Sequence, residues 1–142
     1  MKSITDMTHE ELRIACAEKC GWRIEEEQNI IPVEKSIFRI YHNNYCCEMI
    51  KEYSSAINLL KRQYYPDYEH DRNALFELVK TIPKDKRDDF IKALADILGF
   101  DLQLFTDGET LAGNIMDVIW DLLIADPIAI MRAFLTVMDD NR

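Results

Sequence analysis

Apolar residues recur at three- and four-residue steps over most of this chain, the pattern of helices that bury one face. The clearest stripe is Phe90, Ile91, Leu94, Ile97 and Leu98, within a helix predicted over Lys84 to Leu98, with charges on its other side and Gly99 after its last turn. An earlier helix is signalled by its start: Thr8-His9-Glu10-Glu11 is a capping box, with Met7 and Leu12 placed as a hydrophobic staple. Gly21 should end it, because glycine enters the left-handed C′ conformation without steric cost.

Two strands follow in the pattern, Trp22 to Glu26 and Ser36 to Tyr41, where Ile37, Phe38 and Ile40 are β-branched or aromatic; they should pair antiparallel in a small sheet. Asn43 and Asn44 stand as N-caps before Tyr45, after which Cys46, Met49, Ile50, Tyr53, Ala56, Ile57, Leu60 and Tyr64 keep helical spacing up to Pro66. That predicts one long helix. Asp67 to Thr81 predicts another, with Ala74, Leu75, Leu78 and Val79 on one side, Asp67 or Asp71 as cap and Pro83 as breaker, so that it and the Lys84 helix form a helical hairpin. Phe100, Leu102 and Leu104 alternate as a third strand, and Thr106 to Glu109 is a second capping box before a helix carrying Ile115, Val118, Ile119, Leu122 and Leu123. Asp126-Pro127 opens the last helix, whose core stripe is Met131, Phe134, Leu135 and Met138.

These elements predict an α+β, helix-rich single domain over residues 1–142, with about six helices packed on a small antiparallel sheet of two or three strands. The 142 residues, 48% hydrophobic and 30% charged, can bury a core without disulfides or metals. No linker or repeat interrupts them.

A net charge of −9 repels phosphate backbones, which argues against direct nucleic-acid binding and favours a basic protein partner; the plainer reading is that acidity keeps a small domain soluble. The start, Met1 to Asp6, lacks the apolar core of a secretory signal, and Ile115 to Met138 is interrupted by Asp117, Asp121, Asp126 and Pro127, so a cytoplasmic protein without a membrane span is expected. The four cysteines then read as reduced core thiols: Cys16 and Cys20 share a helix face, and adjacent Cys46 and Cys47 do not pair easily.

Little catalytic chemistry is visible. His42 with Cys46 and Cys47 is the nearest approach to a metal cluster and lacks the ligand number and spacing of a zinc site; no metal or cofactor is expected. Asp88-Asp89, Asp139-Asp140 and Glu25-Glu26-Glu27 read as solvated charge, and four glycines leave no phosphate loop. Tyr64, Tyr65 and Tyr68 beside Pro66 could serve an interaction surface, although packing Tyr68 beneath a helix is the simpler role.

Three short segments carry a resemblance: Glu10-Glu11-Leu12-Arg13-Ile14-Ala15 through Cys20-Gly21-Trp22-Arg23-Ile24; Pro66-Asp67-Tyr68 with Asp71, Asn73 and Ala74; and Asp126-Pro127 leading to Ala133-Phe134-Leu135. Together they resemble the bacteriophage ABA-sandwich (alpha-beta-alpha) domain family, small phage proteins with no agreed activity. The resemblance implies phage origin and strands sandwiched by helices. The chain departs from the family pattern at Ile128, Ala129, Ile130 and Met131, where the family is polar, and in the added stretch Asn43 to Tyr65.

These residues are compatible with three functions. The first is a phage accessory protein, not an enzyme, that binds and inhibits a host defence protein through an acidic surface, Glu25, Glu26 and Glu27 with Tyr64, Tyr65 and Tyr68, as a nucleic-acid mimic in one version. The second is a nucleotide-signal sponge, with homo-oligomers allowed and Arg23, Arg39, Lys61 and Arg62 as its candidate cations. The third is an uncharacterised enzyme.

Overall fold

The structure is a computed structural model that describes residues 2–27, 35–99 and 125–139. It is an α+β fold: α1 (His9–Lys19), β1 (Trp22–Glu27), β2 (Ser36–His42), β3 (Tyr45–Glu52), α2 (Ile57–Tyr64), α3 (Arg72–Lys80), α4 (Arg87–Leu98) and α5 (Pro127–Met138). The expected strand at Phe100 to Leu104 and the helix after Thr106 lie outside the described residues.

Three of the N-caps read from the sequence form. Thr8 Oγ1 accepts from the Glu11 amide at 3.2 Å, Asp71 accepts from the Asn73 and Ala74 amides at 3.0 and 3.3 Å, and Asp126 accepts from Ile128 at 3.0 Å with Pro127 opening α5. Gly99 closes α4 at φ 83°.

α5 is the centre of the fold. Ile128, Ala129, Ile130, Met131, Ala133, Phe134 and Leu135 are all buried, so the helix is apolar nearly all round, as only an interior helix can be. α4 and α1 pack against it, and α1 also lies on β1. The Ile128–Met131 stretch that departs from the resembled family's polar pattern is therefore core. The expected α3–α4 hairpin is not a major packing pair, since α4 takes α5 as its principal neighbour. Along α4 the buried residues are Phe90, Leu94 and Ala95, a narrower stripe than the sequence predicts, and Ile91 and Ile97 stand exposed on its flanks.

One expected element is wrong in kind. Tyr45 to Tyr64 is not one helix: its first half is β3, and a helix begins only at Ile57. Asn43 and Asn44 are the two-residue turn of a β2–β3 hairpin rather than helix caps. Asn43 sits at φ 56°, a conformation asparagine tolerates and hairpin turns require, and His42 pairs with Tyr45 across it. The sheet is three-stranded and antiparallel in the order β1-β2-β3, with β2 in the middle. Phe38 and Ile40 of β2 are buried on one face.

The turn locks onto the end of α1. Asn43 N–H donates to Gly21 O at 2.9 Å, and Gly21 holds φ 93° with a space so tight that a Cβ would lie 2.1 Å from Asn43 Oδ1. Gly21→Ala should therefore cost about 1–3 kcal/mol in denaturant unfolding. Trimming Asn43 to glycine in the same chain should recover only the part due to the clash, because the positive φ remains. A neutral Gly21→Ala would show that this corner is not constrained.

Candidate interaction surface

The solvent face of the sheet is built by register. Glu25, Arg39 and Met49 lie in line across the three strands, as do Glu27, Ile37 and Lys51, while Arg23 faces Tyr41. Directly paired residues of an antiparallel sheet share a face. Arg39 pairs with Glu27, Arg23 Nε lies 3.1 Å from Glu25 Oε1, and the Arg23 guanidinium stands 4.3 Å from the Tyr41 ring centroid. The hydrogen bond that Arg39 donates to Glu27 holds the Arg39 pKa above its ordinary value.

The structure separates the residues that the sequence grouped as one interaction site. Glu25, Glu26 and Glu27 are exposed on β1, but two of the three have arginine partners on their own face. Tyr64 is half-buried, and Tyr65 and Tyr68 are 2% and 3% exposed in the main core. Two of the three tyrosines thus cannot serve a surface. Burial raises the Tyr65 hydroxyl pKa to about 12, with Glu18 adding to the effect, and burial lifts Tyr68 further. The Pro66 turn is held by Arg13, which donates to the carbonyls of Arg62, Tyr65 and Pro66 at 2.6, 2.6 and 2.8 Å.

Among the described residues, exposed large apolar side chains lie on α2 (Leu59), α3 (Phe76) and α4 (Ile91 and Ile97), and three gather on β3 and just beyond it. Tyr45 is 72% exposed, Met49 60% and Tyr53 46%. Sequence reading missed this surface because it placed these residues on a helix. The signal was present in Asn43-Asn44, a two-residue turn between β-rich segments.

The cations considered for an anionic ligand are dispersed and paired. Arg62 makes a two-point contact with Glu10 at 2.6 and 2.9 Å, and Lys61 lies 3.5 Å from Glu18. A crevice of about 310 Å³ opens between β1 and α3, lined by Cys20, Trp22, His42, Tyr68, Glu77 and Thr81 among others, with Trp22 and His42 stacked at 4.5 Å. None of the four cations lines it. Among the described residues no cluster of three or more His, Cys, Asp or Glu could hold a metal ion, and no helix is long and apolar enough to cross a membrane.

The cysteines divide by environment. Cys16 is fully buried in α1, its Sγ 3.7 Å from Met131 O, and burial drives its thiol pKa far up; Cys20 is half-buried beside Thr81 and raised by the same cause. Cys46 and Cys47 are exposed on β3, not core thiols as the helical reading had them. A thiol reagent under native conditions should label Cys46 and Cys47 quickly, Cys20 slowly, and Cys16 only on unfolding. Prompt labelling of Cys16 would contradict the buried placement of α1.

In comparisons with known proteins, no family model, curated protein or solved structure matches the chain.

Proposed function

We propose that the chain is a phage accessory protein that acts by binding, not catalysis, and that it holds and inhibits a basic host protein, a component of host defence, in the host cytoplasm. The phage and host elements rest on the resemblance carried by the segments around Trp22, Pro66 and Pro127. The observation that carries the binding reading is the exposed strand β3, which presents Tyr45, Met49 and, at its exit, Tyr53 to solvent in a chain of net charge −9. Exposed aromatic and methionine side chains are enriched at protein interfaces, and an acidic field steers a basic partner toward them.

This reading moves the interface from the tyrosines near Pro66 to the sheet. It also weakens the nucleic-acid-mimic version, because Arg23 and Arg39 counter the charges of Glu25 and Glu27 that would stand in for phosphates. The ligand-sponge alternative gains little from the crevice, which is mainly apolar and carries Glu77 in place of a cation.

Capture from host lysate followed by mass spectrometry tests the proposal. A single basic protein should be recovered, and its association rate should fall with salt, since exposed charges are screened beyond about 8 Å at physiological ionic strength. Salt-independent association, or retention of a labelled nucleotide with no protein recovered, would sink it.

A further inference from the structure

β3 is an edge strand of the sheet. Among the described residues β3 pairs with β2 alone in the order β1-β2-β3, and its side chains from Tyr45 to Met49, together with Lys51, are exposed. An uncovered edge presents a row of backbone N–H and C=O groups ready to pair with another chain. A register shift opposite Ile40/Tyr41, where Cys47 is the extra residue, breaks the ladder near the hairpin tip, so regular pairing is confined to Glu48 through Glu52. Among the described residues Glu48 and Lys51 of that stretch make no ion pair, and the Glu52 carboxylate accepts the neighbouring Tyr53 amide at 3.3 Å.

The charges say which strand fits. Glu48, Ile50 and Glu52 alternate onto one face, and Met49 and Lys51 onto the other. A second copy of this chain is a poor occupant. Antiparallel pairing of two identical edges needs a two-fold axis perpendicular to the sheet, which keeps faces in place, so only residues of equal parity can stand opposite one another. Each such register sets Glu48 or Glu52 opposite or diagonal to a glutamate of the other copy, or Lys51 against Lys51, and like charges so placed repel. A net charge of −9 on each copy adds to that.

We propose that β3 recruits an extended, basic segment of a partner protein, which adds antiparallel as a fourth strand. Its residues opposite Glu48 and Glu52 are lysine or arginine, those opposite Met49 and Ile50 are apolar, and the one opposite Lys51 is acidic or polar. Backbone hydrogen bonds supply the attachment and the alternating side chains supply the choice of partner. Tyr45 and Tyr53, exposed at either end of β3, flank the added strand. This rests on the binding function proposed above and names the chemistry of its partner.

The probe is a capped, labelled peptide carrying Lys-Glu-Val-Val-Lys between threonines, measured by fluorescence anisotropy and by amide exchange on the full-length protein. Binding that slows exchange of β3 amides, weakens with salt and falls about tenfold in the variant Glu48→Lys/Glu52→Lys is the expected result. That variant should in turn take up the peptide with only its lysines reversed, Glu-Glu-Val-Val-Glu, which keeps a glutamate opposite Lys51, and that uptake shows that the variant is folded. Absence of binding, binding indifferent to both charge swaps, or a dimer in sedimentation whose β3 amides are already protected without peptide would each overturn the proposal. Lysate capture separates it from the broader reading. A host protein held equally by the double variant leaves host binding intact and removes strand addition; peptide addition to β3 with no host protein captured does the reverse.

Discussion

Phe134→Ala should lower unfolding stability by about 3–5 kcal/mol, the largest loss expected from any single truncation here. Phe134 is fully buried in α5, the helix against which both α1 and α4 pack. A cavity at such a place is hard to fill, because neighbours on opposite sides cannot all move inward without losing other contacts. Leu94→Ala, on the α4 side of the same core, should cost about 2–5 kcal/mol for the same reason. Thr136→Ala is the comparison: its hydroxyl binds only the Arg132 carbonyl one turn back, and its loss should be small. Urea unfolding with an unchanged slope would measure all three. A Phe134→Ala loss below about 1 kcal/mol would mean that α5 is not the central helix.

The second large effect is alkaline lability. Cys16, Cys20, Tyr65 and Tyr68 all have pKa values raised by burial above the ordinary 9.0 of a thiol or 10.0 of a phenol. In the unfolded chain these groups release protons from about pH 9 upward, whereas the folded chain keeps them. Their contribution to stability is therefore complete below pH 9 and is lost as pH climbs from there toward the raised folded values. For Cys16 alone the slope approaches about 1.4 kcal/mol per pH unit. Cys16→Ala should flatten the decline measured by denaturant titration between about pH 9 and 11. Equal slopes for the two proteins would show that Cys16 reaches water. At the acid end, burial works upward on Asp67, but hydrogen bonds from the His70 side chain and amide outweigh it and lower its pKa, so the small stability from this pair fades as pH falls below the ordinary value of 3.8.

Residues whose role is settled within one turn of chain were legible in the sequence. Thr8, Asp71, Asp126 with Pro127, and Gly99 act where local chemistry places them, and Trp22–Glu27 and Ser36–His42 pair as their β-branched and aromatic residues suggest. What failed depended on distant partners. Tyr45 to Tyr53 carries apolar residues that satisfy a helical period and a strand about equally, and the choice is made by hydrogen bonds to β2 and by the Asn43 turn seated against Gly21. The candidate site fared similarly. Tyr65 and Tyr68 are polar enough to suggest a surface, yet the Arg13 clamp on the Pro66 turn carries them inward. Glu25 and Glu27 are accessible as expected, but the arginines opposite them follow from strand pairing rather than from local composition.

The edge of β3, unpaired among the described residues, also sets a colloidal limit on this molecule. At neutral pH the charge of −9 holds copies apart and keeps their edges from templating one another. Near the isoelectric point of about 4.8 that repulsion vanishes. The strand proposed to take up a basic segment then loses the net-charge repulsion that keeps its twin away, and a solution taken slowly through that pH should cloud with sheet-rich, edge-joined aggregates while the helical core around Phe134 is still intact.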